Sequence, residues 1–405
     1  MRRFTRREAR IEKKAAMARP EDVRIPIVEN EPPYNRYYIG ISRIYHLFQY
    51  IFLAVALLFA LTCIVADPEI ISYRNFLMCV RDINMTLPQT ERYSTLTYTT
   101  KTPAQIRSYK GGIVVPGEDT LFVFSATGKR TLSADHGFWA PTCVSSDSGI
   151  LLYDFGTTSF SVYNGYTRLY RGEAKSPVYA ADISDSGRYA LVQKNDSGQF
   201  FVTVYEDDHK ELATLRTVKY VTSALLDGDG DELVVLSFSV IGGEIVCEVG
   251  KYNCNNEELV FSYTEKGSTP LSAALSKDGK LCVLTDKGAM FLDNDGALIG
   301  KVTVDSVEAF DANDSFVAIY GDGEALIASF DGEVLRREMI DIHVRSVALA
   351  EGRLFLLGRN TLTAFDADGG EIRRTDIKGD YDILLAPSKN HPVLCGMTTA
   401  ALAEW

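Results

Sequence analysis

The chain has 405 residues, with 42 Lys+Arg against 54 Asp+Glu, a formal net charge of -12 and 46% apolar residues. A charged fraction of 24% beside that apolar content excludes a disordered chain. The acidic balance gives no whole-molecule attraction to nucleic acid. The length suits one large repeat domain or two smaller ones.

Residues 1–43 hold 11 Lys/Arg against six Asp/Glu, a local charge of +5, which leaves -17 for the remainder. Residues 2–19 are basic and helix-compatible, and Pro20, Pro26, Pro32 and Pro33 break any longer helix. Residues 44–66, IYHLFQYIFLAVALLFALTCIVA, carry no charged side chain. As a helix they would extend roughly 34 Å, enough to cross about 30 Å of hydrocarbon. Tyr45 and Tyr50 suit the interfacial belt. A buried core helix or a signal peptide are the competing assignments, and 43 preceding residues fit the second poorly. The basic arm before the span predicts a cytoplasmic N-terminus and an extracytoplasmic remainder, with the lipid bilayer as the partner of residues 44–66. Residues 67–108 read as a stalk, in which FLMCV and STLTYTT each have the makings of a short strand.

From residue 109 to 405 the pattern changes to short apolar or alternating runs separated by Gly, Asp, Asn and Ser, as expected of many short strands. An internal repeat organises them. AADISDSGRYALV at 180–192 matches SAALSKDGKLCVL at 272–284: a small-apolar strand, a polar turn and a second apolar strand. The equivalent turn positions are Gly149, Gly187, Gly230, Gly279, Ser315, Gly352 and Asn390. Their spacing is close to that of one four-stranded propeller blade, ~40–50 residues. Aromatic–turn–Gly elements recur later in the units, in FSATGK, FLDNDG, FDG and FDADGG, and suit tight hairpins between outer strands. The expected fold is an all-β, seven-bladed β-propeller preceded by a single transmembrane helix. Residues 111–133 should complete the last blade by pairing with the C-terminal strands. Because they resemble nearly a whole blade lacking its inner strand, eight blades is the alternative.

The basic arm, the apolar span, ISYRNFLMCVRDIN at 71–84, STLTYT at 94–99, SYKGGIVV at 108–115 and the FSATGK turn together resemble a Firmicutes family known as domain of unknown function 5711. The resemblance covers residues 40–405. It implies a membrane-anchored propeller and supplies no catalytic residue. The Gly-His and Trp-Asp pairs of WD-repeat blades are absent, with only Trp139 and Trp405 in the chain.

No catalytic, cofactor-binding or metal-binding residue is singled out. None of His46, His136, His209, His343 and His391 has close ligand spacing. His343 is expected on a strand or edge, and His136 on a surface rim. DGDGDE at 227–232 runs into a strand, so Asp227, Asp229 and Asp231 read as a solvated turn rather than a calcium loop. Cys247 and Cys254 stand seven apart across what should be one hairpin, where a disulfide outside the cytoplasm is chemically allowed. Nucleophile-elbow, P-loop and dinucleotide motifs do not occur. The expectation is a cell-membrane protein whose outward propeller binds a protein, peptide or glycan of the envelope, with no nucleic-acid partner. The alternatives are a lactonase-like or glycan-processing enzyme and a structural subunit of an envelope complex.

Overall fold

The computed structural model describes residues 45–58 and 95–403. The chain divides into two compact units, Met1–Val80 and Arg81–Trp405. In the first unit, residues 45–58 are helical. They cover part of the expected span at 44–66. No helix among the described residues is long and apolar enough to cross a membrane. The basic arm, FLMCV, Cys63 and Cys79 lie outside the described residues.

The second unit holds eight four-stranded sheets, all antiparallel. This corrects the expected seven blades to the eight of the alternative. In blade 3 the strands run from inner to outer as Val178–Ile183, Tyr189–Lys194, Phe200–Tyr205 and Glu211–Thr217. The other consecutive blades repeat this order. Blade 1 is Arg107–Tyr109, Gly112–Pro116, Thr120–Phe124 and Arg130–Asp135. It is complete in itself, so residues 111–133 do not close the last unit, contrary to expectation. Closure comes from Thr95–Thr97, which pairs with Thr399–Leu402 and forms the outer strand of blade 8. The propeller strands thus begin ahead of the boundary expected at 109, and STLTYT supplies one of them.

Side-chain period and packing explain the continuous apolar runs of the second strands. In Ile150–Asp154, Ile150 and Leu152 pack into the seam with blade 1. Leu151 and Tyr153 pack into the seam with blade 3. Successive strand residues point to opposite faces, and each blade has a neighbour on both faces, so every position from Ile150 to Tyr153 is apolar. Eight clusters fill the eight seams. The one joining blades 8 and 1 contains Leu96, Tyr98, Ile113, Val115 and Cys395. The Tyr98 hydroxyl donates within reach of the Gly396 and Thr399 carbonyls, 3.0 Å from each, and fastens the closing strand.

All seven turn positions found in the sequence lie between an inner and a second strand. The eighth is Lys110–Gly111 in blade 1, a tight turn with φ +46° and +75° that carries none of the Ser/Asp signature. Blade 4 departs from the others. Its middle strands Glu232–Ile241 and Glu244–Asn253 have 10 residues each, joined at Gly242 and Gly243.

Candidate functional site

Strand direction gives the propeller two unlike end faces. The blade-to-blade connections and the second-to-third-strand turns emerge where the inner strands begin, here called the entry face. The remaining turns emerge where the inner strands end, the exit face.

The exit face is acidic. A cavity of about 670 Å³ at the channel mouth is lined by Asp182, Asp185, Asp227, Asp229, Lys277 and Asp314 among others. Its walls are fixed by bonds that cross between blades. Ser146 and Ser148 hydroxyls donate to the Ser184 carbonyl at 2.8 and 2.7 Å. The Asp147 N–H donates to the Asp185 carboxylate at 3.0 Å, Ser186 N–H to the Gly228 carbonyl at 3.1 Å and Lys277 N–H to the Asp314 carbonyl at 3.1 Å. The short polar turns of blades 2, 3 and 5 thus cap themselves and also reach the next blade.

Two inner-strand carboxylates bond to the backbone of the next blade. Asp182 accepts the N–H of Leu226 from the next blade at 2.8 Å, and Asp311 accepts that of Leu349 from its next blade at 2.7 Å. Removal from water raises both: Asp182 to about 7 and Asp311 to about 6, against 3.8 for the free group. The donated backbone N–H groups oppose the shift, and Asp185 adds to it for Asp182. Sequence reasoning missed both residues, although AADI and AFDA place an acid at the same point of two inner strands.

The turn Asp227–Asp231 reads as a turn in the structure too. The Asp227 carboxylate accepts the Glu232 N–H at 2.9 Å. That of Asp231 accepts from Arg188 at 2.6 Å and from Asn255 at 3.0 Å. Among the described residues no group of three His, Cys, Asp or Glu is placed to hold a metal ion.

Cys247 and Cys254 do not form a disulfide; both are free and buried. Cys247 lies in Glu244–Asn253 and Cys254 directly follows that strand, so they stand along one strand and not across a hairpin. Seven residues of extended chain span roughly 23 Å, far beyond disulfide reach. Desolvation raises both thiols to about 12.

The histidines also fall differently. His343 is exposed in the connection between blades 6 and 7 rather than on a strand. His136 is 2% exposed rather than on a rim. Its Nδ1 accepts the Phe138 N–H at 2.9 Å, which leaves the proton on Nε2, 3.2 Å from the Gly117 carbonyl. Burial holds its pKa below the usual value, so the ring is neutral. His209, in an exit-face turn, stacks on Tyr170 with centroids 4.3 Å apart.

The entry face carries an exposed apolar strip. Among the described residues beyond 45–58, the exposed large hydrophobic side chains lie either on outer strands or at this end of the ring. Trp139 is 95% exposed beside a recess of about 520 Å³ lined by Lys101, Gly117, Glu118 and Phe138 among others. The Phe155 N–H donates to the Ala140 carbonyl, next to Trp139, at 3.0 Å. From Phe155 a chain of ring contacts runs through Tyr179, Phe200 and Tyr220 to Phe238, with centroid steps of 5.6, 6.4, 5.8 and 5.3 Å. The strip therefore crosses blades 2 to 4 without a break.

A family model, Family of unknown function (DUF5711), matches residues 87–398. The chain belongs to the DUF5711 family. No curated protein matches it significantly. Among solved structures, BamB from Moraxella catarrhalis superposes with a TM-score of 0.55 at 11% identity, covering 78% of this chain and 97% of BamB. The C-terminal WD40 domain of Sif2 gives 0.54 at 9% identity, covering 78% and 96%. Apo AztD from Citrobacter koseri gives 0.51 at 10%, covering 71% and 88%. At these identities the likeness is one of fold, and this DUF5711 chain shares a propeller architecture with all three.

Proposed function

We propose that this DUF5711 chain is a single-pass protein of a Gram-positive cell membrane. Its N-terminus is cytoplasmic, and its propeller acts outside the cell as a rigid scaffold for an envelope protein, peptide or glycan. The anchor rests on the uncharged run 44–66 and the charge split around it. The scaffold role rests on one observation above all: the exit-face cavity, whose acidic turns are held by hydrogen bonds from blade to blade. Such a surface presents charge without having to order itself on binding, and it suits a partner surface rich in Lys, Arg or amino groups. A photo-crosslinker at position 229 in living cells tests the role, and a discrete envelope adduct is the expected result. Protease treatment of intact cells tests sidedness separately, with cleavage beyond residue 67 expected.

An enzyme is the second reading, favoured by one feature. Asp182 lines that cavity and titrates near neutrality, as functional carboxylates often do. Turnover of a lactone or glycan by purified residues 81–405, lost in Asp182→Asn, would favour it over the scaffold.

A further inference from the structure

The entry face has no role in the scaffold, yet it holds Trp139, the largest exposed aromatic side chain of the propeller among the described residues. We infer that this face is a membrane-docking surface, which lays the propeller on an anionic bilayer with the exit face turned away. The inference rests on the proposal that residues 44–66 tether the propeller beside that bilayer.

Three observations carry it. The first is chemical. The strip from Trp139 through Phe155, Tyr179 and Tyr220 ends on the blade 4 hairpin, where Val240 and Ile241 are exposed. Trp and Tyr rings with aliphatic tips are the side chains that partition into the boundary between headgroups and acyl chains.

The second is shape. The inner strand of blade 4 begins at Tyr220, opposite Phe238, while the neighbouring strand runs on through Ser239, Val240 and Ile241 to Gly242. At about 3.3 Å per residue the hairpin overhangs its inner neighbour by roughly 10 Å. That is the depth at which interfacial apolar surfaces settle, ~5–10 Å.

The third is charge. Lys194, Arg216, Lys266 and Lys287 surround the strip and make no salt bridge among the described residues; Lys194 instead lies 5.4 Å from the Phe200 ring centroid. Lys175 and Lys219 are paired with Glu211 and Glu248, and the acids set against the other cations are Glu173, Asp196, Glu244 and Asp286, the last next to Lys287 in one turn. The exit face carries the dense acids, including Asp147, Asp185, Asp227, Asp229 and Asp314. An anionic leaflet repels that end more strongly than the entry face, whose acids are offset by cations, so the charge pattern orients the molecule. Residues 67–94, at up to ~3.4 Å each, are long enough for any face to reach the bilayer. The tether keeps lipid at a high effective concentration, so a weak surface suffices.

Residues 81–405 form a compact unit with a closed ring, and the test uses this unit with Trp405→Phe, so that Trp139 is its single tryptophan. Vesicles of equal parts phosphatidylglycerol and phosphatidylcholine are added to about 1 mM lipid, ten times what a marginal ~10⁴ M⁻¹ interaction needs. The expected result is co-flotation, a blue shift of Trp139 emission and weakening by added salt. Val240→Ser with Ile241→Ser, at exposed positions, should lower the partition constant at least tenfold with an unchanged circular dichroism spectrum. Failure to float, or equal binding by the variant, overturns the proposal. So does an in-cell photo-crosslinker at position 139 that yields a protein adduct and no lipid adduct. If protease treatment places the propeller inside the cell, the tethering premise fails instead, whatever the vesicles show.

Discussion

Asp182→Asn should make the propeller more stable at pH 8 and flatten its pH dependence. The carboxyl titrates at about 7 in the fold against 3.8 for the free group. Between those values the folded state binds a proton that the unfolded state has released, so stability falls as pH rises from about 4 to about 7 and stays low above. A shift of about three units corresponds to an upper bound of roughly 4 kcal/mol. Because Asp182 is only partly buried as a residue and borders the channel mouth, about 2 kcal/mol is the expected size. Asparagine keeps an oxygen to accept the Leu226 N–H and carries no charge at any pH. A unit of about 300 residues gains roughly 1.5 °C in Tm per kcal/mol, so the variant should melt about 3 °C higher at pH 8. At pH 4.5 the gap should vanish or reverse. Thermal melts of residues 81–405 followed by circular dichroism at both values provide the test. A variant less stable by the same margin at both values would refute the reasoning, since the carboxylate would then act as a favourable acceptor.

Asp311→Asn should show the same sign over a lower window, between about 4 and 6, given its folded value of about 6; melts across that range check it. A chain begun at residue 109 loses the outer strand of blade 8 and the inner strand of blade 1, and should elute as aggregate in size-exclusion chromatography while one begun at 81 elutes as a monodisperse species. Cys247 and Cys254 should react with a maleimide only after denaturation, and reduction should leave the intact mass unchanged; a loss of two hydrogens in the native protein would contradict their separation. His136→Ala removes an acceptor and a donor from buried backbone groups and should cost about 1–3 kcal/mol in urea unfolding. Because the folded His136 pKa is depressed, wild-type stability from this group is present above about 6.5 and is lost as pH falls below it, a trend the variant should lack.

The repeat was legible because tight turns leave a chemical trace. Gly, Asp, Asn or Ser marks the reversal from an inner into a second strand, and seven of the eight blades were found that way. Blade 1 escaped although its two-residue turn, Lys110 and Gly111, is built like the Glu351–Gly352 turn of blade 7. Its inner strand, Arg107–Tyr109, has only three residues and so shows little periodicity. The closing strand Thr95–Thr97 could not be read from spacing, since it comes from the opposite end of the chain to its sheet. The length of the blade 4 strands decided the cysteines: the reversal occurs at Gly242 and Gly243, before both of them, instead of between them. His136 looked like a rim residue because its neighbours DHGFW are a mixture; the fold buries the imidazole and exposes Trp139. The polarity of the end faces depends on which strand ends share a side, which no single repeat reveals.

The most direct test of the scaffold is photo-crosslinking in living cells from position 229 on the exit face, compared with Ile299, which is exposed on an outer strand. The account predicts a discrete adduct with one envelope component at 229 and none at 299. Indistinguishable background at both positions would contradict it.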